Sequence, residues 1–419
     1  MDPSLSHNSQ YIWPIGMNPS LSHVVQPSWP FGVDLSLSHG MQHNSQLTSQ
    51  PSLTHGSQPN QEYWKEIIVK DLGYSEVAFW HIDKLFYIDS YASKLCAYAA
   101  KTRDTTCCTI GLGPLSFAVP VLGYPNEFVV GVATSIILIL WDTSTSFQYP
   151  FYFVLKSKEG LPPGTRWNYG SVDQNSKIII GTTNDLPDAR EGNLGSVWAF
   201  GQNKNLLLKL DNLSTITGGF AWGPRPVKEK AEKTPPVKLY FADTVKDEVV
   251  TYEVLQNRDT KIKCQKKLFY LPEHGVNGDP GRIAIDDRGF LWVPLIGGHG
   301  VIEFNPVAKK TNRIIKLPAA KVGACTFGGP HLDILYVSTI GYEYKEPREH
   351  RPQGDLGGHI FAIHGLKVKG IPTREFTVFP DGLPDQILSS REIIKREKML
   401  VARRQSGITR RTKAARVET

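Results

Sequence analysis

Six short apolar runs of one kind recur along the middle of this chain: LFYID at 85–89, FVVGV at 128–132, IIIGT at 178–182, LYFAD at 239–243, LWVPL at 291–295 and LYVST at 335–339. They stand roughly 40–60 residues apart, a period that marks a repeat array such as a β-propeller. The copy at 279–306 is the most complete. Ile283 and Ile285 alternate with Ala284 ahead of a turn at Asp287-Arg288-Gly289, and Leu291-Trp292-Val293 follows at once, which is a hairpin signal. Gly297, Gly298 and Gly300 then precede a further strand through Val301, Ile302 and Phe304. Several other copies also continue into a second apolar strand, as in KLCAY at 94–98, EVVTY at 248–252 and HIFAI at 359–363. The pattern predicts an all-β, six-bladed β-propeller over residues 65–380, with a pair of irregular β-sandwiches as the alternative. No long helical pattern interrupts this region, which argues against α/β architectures.

The ends of the chain read differently. PSLSH at 3–7 and 19–23, LSLSH at 35–39 and PSLTH at 51–55 recur about 16 residues apart, with Trp13-Pro14 echoed by Trp29-Pro30. A segment so rich in Ser, His, Gln and Pro buries too little apolar surface to fold, so residues 1–64 are expected to be disordered. Its repeated His7, His23, His39 and His55 lack the spacing of a compact metal site, and a partner-binding arm is the better expectation. The formal net charge of +7 lies almost entirely after residue 385, in Arg391, Lys395, Arg396, Lys398 and the basic residues that follow. In this 381–419 tail, Ser389 and Glu392 have capping-box spacing, and Ile393, Ile394, Leu400 and Val401 set an apolar edge on a short basic helix. A solvated extension is expected there, with contact to an acidic surface or partner as the functional alternative. Without an aromatic-studded basic groove in the body, there is no clear nucleic-acid site.

Cys96, Cys107, Cys108, Cys264 and Cys325 form no C-x-x-C pair, and buried or incidental thiols are expected in preference to disulfides or zinc. The most apolar stretch, 128–141, is too short to span a bilayer, and no signal-peptide pattern opens the chain. A soluble, cytoplasmic protein is the expectation. Asp89 and Asp243, at equivalent strand ends, read as turn-capping residues, and His299 within GGHG reads as a loop residue.

Residues 70–378 resemble the regucalcin, gluconolactonase and luciferin-regenerating enzyme family, also called senescence marker proteins. The resemblance is carried by EVAFW at 76–80, the 116–142 run, RWNYGSVD at 166–173, GGFAW at 218–222, IDDRGFLWV at 285–293, FGGPHLDILYVST at 327–339 and GLKVKGI at 365–371. It implies a propeller that holds one divalent cation, such as calcium or zinc, at its axial mouth and hydrolyses sugar lactones. A Glu, an Asn and an Asp would ligate the metal, the Asp doubling as general base, while an Arg and an Asn would hold the lactone. The cation would polarise the ring carbonyl and acidify the attacking water.

Carried over by position, the metal-binding Glu is Glu76, and the lactone-binding pair is Arg166 and Asn168, with Tyr169 in place of the Asp that normally follows. The metal-binding Asn is replaced by Gly218. The Asp is replaced by Gly281, in PGRIAID where the family pattern runs Pro-Asp-Gly. Asp279, two positions upstream, and Asp185 are the carboxylates that could substitute. No catalytic residue is assigned. The expectation is a regucalcin-like pseudoenzyme with a degenerate metal site that serves as a small-ligand-binding or scaffold protein. The alternative is an active metal-dependent lactone hydrolase.

Overall fold

The computed structural model describes residues 63–186, 192–224, 236–255, 261–342, 348–381, 383–385, 387–392 and 395. The N-terminal repeats and the basic run beyond residue 395 lie outside the described residues.

The body is a six-bladed β-propeller. Each apolar run recognised in the sequence is the second strand of a blade: β3 (Lys84–Asp89), β7 (Tyr124–Val132), β12 (Ile178–Asn184), β16 (Val237–Asp243), β21 (Leu291–Ile296) and β25 (Ile334–Thr339). These strands are packed on both faces by neighbouring blades. Their sequences are therefore continuously apolar instead of alternating, and β12 is buried at every position. The innermost strands include β2 (Ser75–His81), β6 (Leu115–Val121), β11 (Thr165–Val172), β15 (Thr217–Trp222) and β24 (Val322–Gly328). The ring is closed by its own ends. β1 (Trp64–Val69) pairs antiparallel with β26 (Ile360–His364), so the first described strand completes the last blade, and Trp64 stacks on His364 with ring centroids 4.7 Å apart.

The fifth blade departs from the continuous inner strand that Ile283 and Ile285 suggest. Its innermost strand is split into β19 (Asp279–Pro280) and β20 (Ala284–Ile285), both paired with β21. Between them the backbone turns to the next blade: Arg282 N donates to Gly323 O at 2.9 Å, and Arg282 O accepts from Cys325 N at 3.3 Å.

The cysteine expectation is corrected at one pair. Cys96 and Cys107 sit directly opposite on β4 (Lys94–Ala99) and β5 (Asp104–Thr109) and are joined by a disulfide, whereas Cys108 and Cys325 are free and buried. No helix among the described residues is long and apolar enough to cross a membrane.

After the last blade the chain runs back across the propeller. Asp287 N donates to Lys369 O, Thr373 Oγ1 to Trp80 O at 2.7 Å, and Phe376 N to Pro120 O at 2.9 Å. This strap thus touches the fifth, first and second blades in turn. A helix follows, and it starts earlier than the Ser389 capping box suggests. Asp385 is already helical, Leu388 N donates to Pro384 O at 3.1 Å, and Ser389 lies exposed within the helix. Pro384 has no N–H to lose at a helix start, which suits it to that place. Leu383 and Ile387 enter the core cluster of the second and third blades with Phe117, Trp167 and Phe376.

Arg391 is not a solvated tail charge. Its Nη2 donates to Glu127 Oε2 at 2.8 Å and its Nε to Glu127 Oε1 at 3.0 Å, while Nη1 donates to Val378 O and the guanidinium lies 4.2 Å from the Tyr124 ring centroid. Only 6 % of the arginine side chain and 2 % of the glutamate remain exposed. Removing one partner of such a pair strands the other charge in the core. Arg391→Ala is expected to cost about 3–5 kcal/mol in chemical denaturation. The double replacement Glu127→Leu with Arg391→Met, which leaves no orphan charge, should recover most of that loss.

Candidate functional site at the propeller axis

Glu76 lies near the start of β2, Arg166 and Asn168 near the start of β11, and Gly218 near the start of β15, so these positions meet at one end of the axial channel. The structure also brings there a residue that the sequence reading passed over. The Arg282 side chain, only 5 % exposed, reaches the axis and forms an ion pair through Nη2 with Glu76 Oε2. The same Nη2 donates to the Asn168 carbonyl oxygen at 2.6 Å, and the guanidinium carbon lies 5.0 Å from the centroid of the Tyr169 ring. Burial pushes the Tyr169 phenol above its ordinary pKa, with the Arg282 charge partly opposing, so it stays neutral.

The residues expected to hold a lactone are engaged as well. Arg166 donates from Nε to Asp185 Oδ2 at 2.5 Å and from Nη2 to Asp185 Oδ1 at 3.2 Å. Its Nη1 donates to Trp167 O and its Nη2 also reaches the Tyr91 hydroxyl. Burial works against the Arg166 charge, but Asp185 and Tyr91 outweigh it and raise the guanidinium pKa further. Asp185 is therefore a partner of Arg166, joined by the two-point geometry that suits a guanidinium and a carboxylate. The Asn168 side chain donates to Thr217 O at 2.7 Å, which ties the third blade to the fourth.

Space has closed around the two glycines at expected ligand positions. A Cβ on Gly218 would press on Thr244 Oγ1 and lie 2.9 Å from Ala242 O; one on Gly281 would press on the Gly323 carbonyl. At neighbouring Gly219 a Cβ would lie 2.8 Å from Arg282 Cα, so the arginine's own backbone uses that room. Asp279 is half-buried and opposite Ile296 in β19. Asp89 accepts from Gly73 N and Tyr74 N, and Asp243 from Ser214 Oγ and Lys246 N, so both brace turns. His299 is an exposed turn residue with φ of 55°.

A closed ring of six antiparallel blades, with side chains converging at one axial end, defines a six-bladed propeller. The SMP-30/Gluconolactonase/LRE-like family profile matches residues 74–341, and the chain belongs to that family. It is 26 % identical over 297 residues to regucalcin of Macaca fascicularis, covering 69 % of this chain and 89 % of that protein. Its fold is similar to a luciferin-regenerating enzyme (TM-score 0.66, 24 % identity, 76 % of this chain and 100 % of that one). It is also similar to a calcium-binding protein, regucalcin, from Agrobacterium tumefaciens (TM-score 0.62, 14 % identity, 75 % and 98 %).

The signal for Arg282 was present in PGRIAID, where a long basic residue stands at the family's Gly. Cys325, beside Arg282 and 5 % exposed, donates from Sγ to Trp292 O at 3.2 Å. Desolvation pushes its thiol pKa up to about 12, and that of Cys108 likewise to about 12. Because burial penalises the thiolate, both stay protonated until the pH approaches that value. Iodoacetamide at pH 8 should leave both unmodified in the folded protein and alkylate them after denaturation, as read by peptide-resolved mass spectrometry.

Proposed function

We propose that this chain is a metal-independent, ligand-binding member of its family, in which an internal arginine takes the place of the divalent cation. The observation that carries this reading is the Glu76–Arg282 ion pair on the axis, with the Gly218 and Gly281 positions closed by neighbouring atoms. Calcium takes six to eight oxygen ligands, and magnesium demands near-octahedral oxygens. Of the three expected protein ligands, two have no side chain and the third faces a guanidinium. The residues therefore do not fit the cation that the family implies. Its entry would have to displace Arg282 from Glu76 and leave a buried guanidinium unpaired, which costs several kcal/mol.

A guanidinium supplies charge but no open coordination position. It cannot bring a bound water into the neutral range as a metal does. Gly281, at the position of the expected base, offers no group to take the proton. Binding without hydrolysis is what remains. The Arg166–Asp185 pair sets fixed donors and acceptors beside Tyr91, an arrangement suited to the hydroxyls of a sugar lactone or a related polyol.

The test is calorimetric titration of the full chain with calcium, zinc and manganese, with Glu76→Gln as the control, followed by a gluconolactone hydrolysis assay. We expect no Glu76-dependent metal binding and hydrolysis at the uncatalysed rate. Micromolar binding that vanishes in Glu76→Gln, together with turnover, would overturn this reading in favour of an active hydrolase. Binding of a non-hydrolysable polyol, weakened about tenfold or more in Arg166→Ala, supports the retained ligand site.

A further inference from the structure

The first blade carries a pair of reactive groups at its rim, away from the axial site. β4 and β5 form an unbroken ladder of six register pairs, and Cys96 faces Cys107 within it. The other five pairs fix that meeting, so the two sulfurs stay opposed whether or not a bond joins them. The Cys107 N–H points outward, away from β4, and donates to Ser146 Oγ at 3.1 Å. This marks a non-hydrogen-bonded pair, the kind in which facing side chains stand closest. The two sulfurs differ in access: Cys96 is 1 % exposed, whereas Cys107 is half-buried on the outer strand of the blade. Cys108 is no alternative partner, because it projects from the opposite face of β5 into the core shared by the first and second blades.

The same stretch of β5 holds a piece of the second blade. Between β8 (Ser135–Leu140) and β10 (Tyr152–Ser157) the chain leaves its own blade and lays β9 (Phe147–Gln148) parallel to Cys108 and Thr109. Among the described outer strands, β5 alone carries such an addition. Thr106 Oγ1 donates to Thr143 O at 2.9 Å, and Tyr149 N donates to Thr109 O at 2.8 Å. These contacts bracket Cys107, which is joined to β4 through its sulfur and to the crossing segment through its N–H. A strand of two residues cannot stand alone, so its hold depends on how rigid β5 is.

We propose that Cys96 and Cys107 form a reversible thiol–disulfide exchange site, open at Cys107 to small thiols of the glutathione class, whose state sets how firmly the 143–149 segment is held. In the opening direction a thiolate attacks Cys107 Sγ, the bond to Cys96 breaks, and Cys96 leaves as a thiolate that takes up a proton. A second thiolate attacks the mixed disulfide at its non-protein sulfur and releases Cys107, which is protonated in turn. Two small thiols thus become one small disulfide while the protein gains two electrons and two protons. A disulfide within reach of solvent exchanges more readily than one enclosed in a core. In a reducing compartment the pair stands open, and in an oxidising one it is closed. The site lies at the rim and is independent of what the mouth binds.

The test is peptide-resolved hydrogen exchange on the full chain equilibrated with reduced or oxidised glutathione, with free thiols counted by mass after denaturing alkylation. Millimolar reduced glutathione at neutral pH is expected to open the pair in the folded protein, adding two alkyl groups and speeding exchange in peptides that hold Cys107 and Tyr149 at least about threefold. Oxidised glutathione should reverse both changes, while exchange around Val249 and Val250 in the fourth blade stays the same. The double replacement Cys96→Ala with Cys107→Ala, which cannot close, should show the faster exchange in both buffers. A pair that stays closed until the protein unfolds, or that never closes under oxidised glutathione, would overturn the proposal. Opening and closing without a change in exchange at Tyr149, or slow exchange there in the double variant, would overturn it as well.

Discussion

A guanidinium buried on the axis of a closed ring must have its charge met there, because the interior offers no water to do it. Glu76 meets that of Arg282, and several other departures from the family pattern follow from the same requirement. The split between β19 and β20 gives Arg282 a backbone position from which it can reach the axis. Tyr169, where the family has an acid, lays an aromatic face under the cation and adds attraction without a second negative charge. Gly219 leaves room for the Arg282 backbone, and the Asn168 carbonyl accepts from the hydrogen-bonding edge. Together they form one neutral, packed unit.

The blade pattern was legible in the sequence because the second strand of each blade is buried on both faces, which writes a continuous apolar run at each repeat. What could not be read was anything set by side-chain reach or by pairing across strands. Arg282 sits beside a family position but acts at the axis, and residue spacing does not encode how far a side chain extends. The Cys96–Cys107 disulfide depends on the register of β4 against β5, which local sequence leaves open. The docked helix was only partly legible. Leu383, Ile387 and Arg391 recur every fourth residue on one face from just before Pro384, but the last of them is charged, and a charge in a basic run reads as solvated until its buried partner Glu127 is known. Glu76 and the Asn168 backbone share Arg282 as a partner and Arg166 takes Asp185, and none of these partners was foreseeable from the family pattern.

The strap and the docked helix give the ring a second lock. β1 on β26 ties the last blade to the first described strand, while the segment from Lys369 to Phe376 crosses three other blades by hydrogen bonds, two between backbone groups and one from the Thr373 hydroxyl. A propeller blade contacts chiefly its neighbours, so a tie that spans several blades resists opening at any one seam. The Arg391–Glu127 pair anchors the end of that tie in the core of the second blade.

A divalent ion stabilises the protein that binds it by mass action, so its contribution varies with the free ion concentration and disappears with a chelator. An arginine supplied by the chain has no such dependence. Its counter-charge is present whenever the ring is closed, and it cannot be exchanged for another cation. On the reading proposed above, the cost is the reactivity that a metal brings, since a guanidinium has no vacant coordination position. Held by Glu76 on β2 and by the Asn168 carbonyl on β11, the same side chain ties the first, third and fifth blades together at the axis.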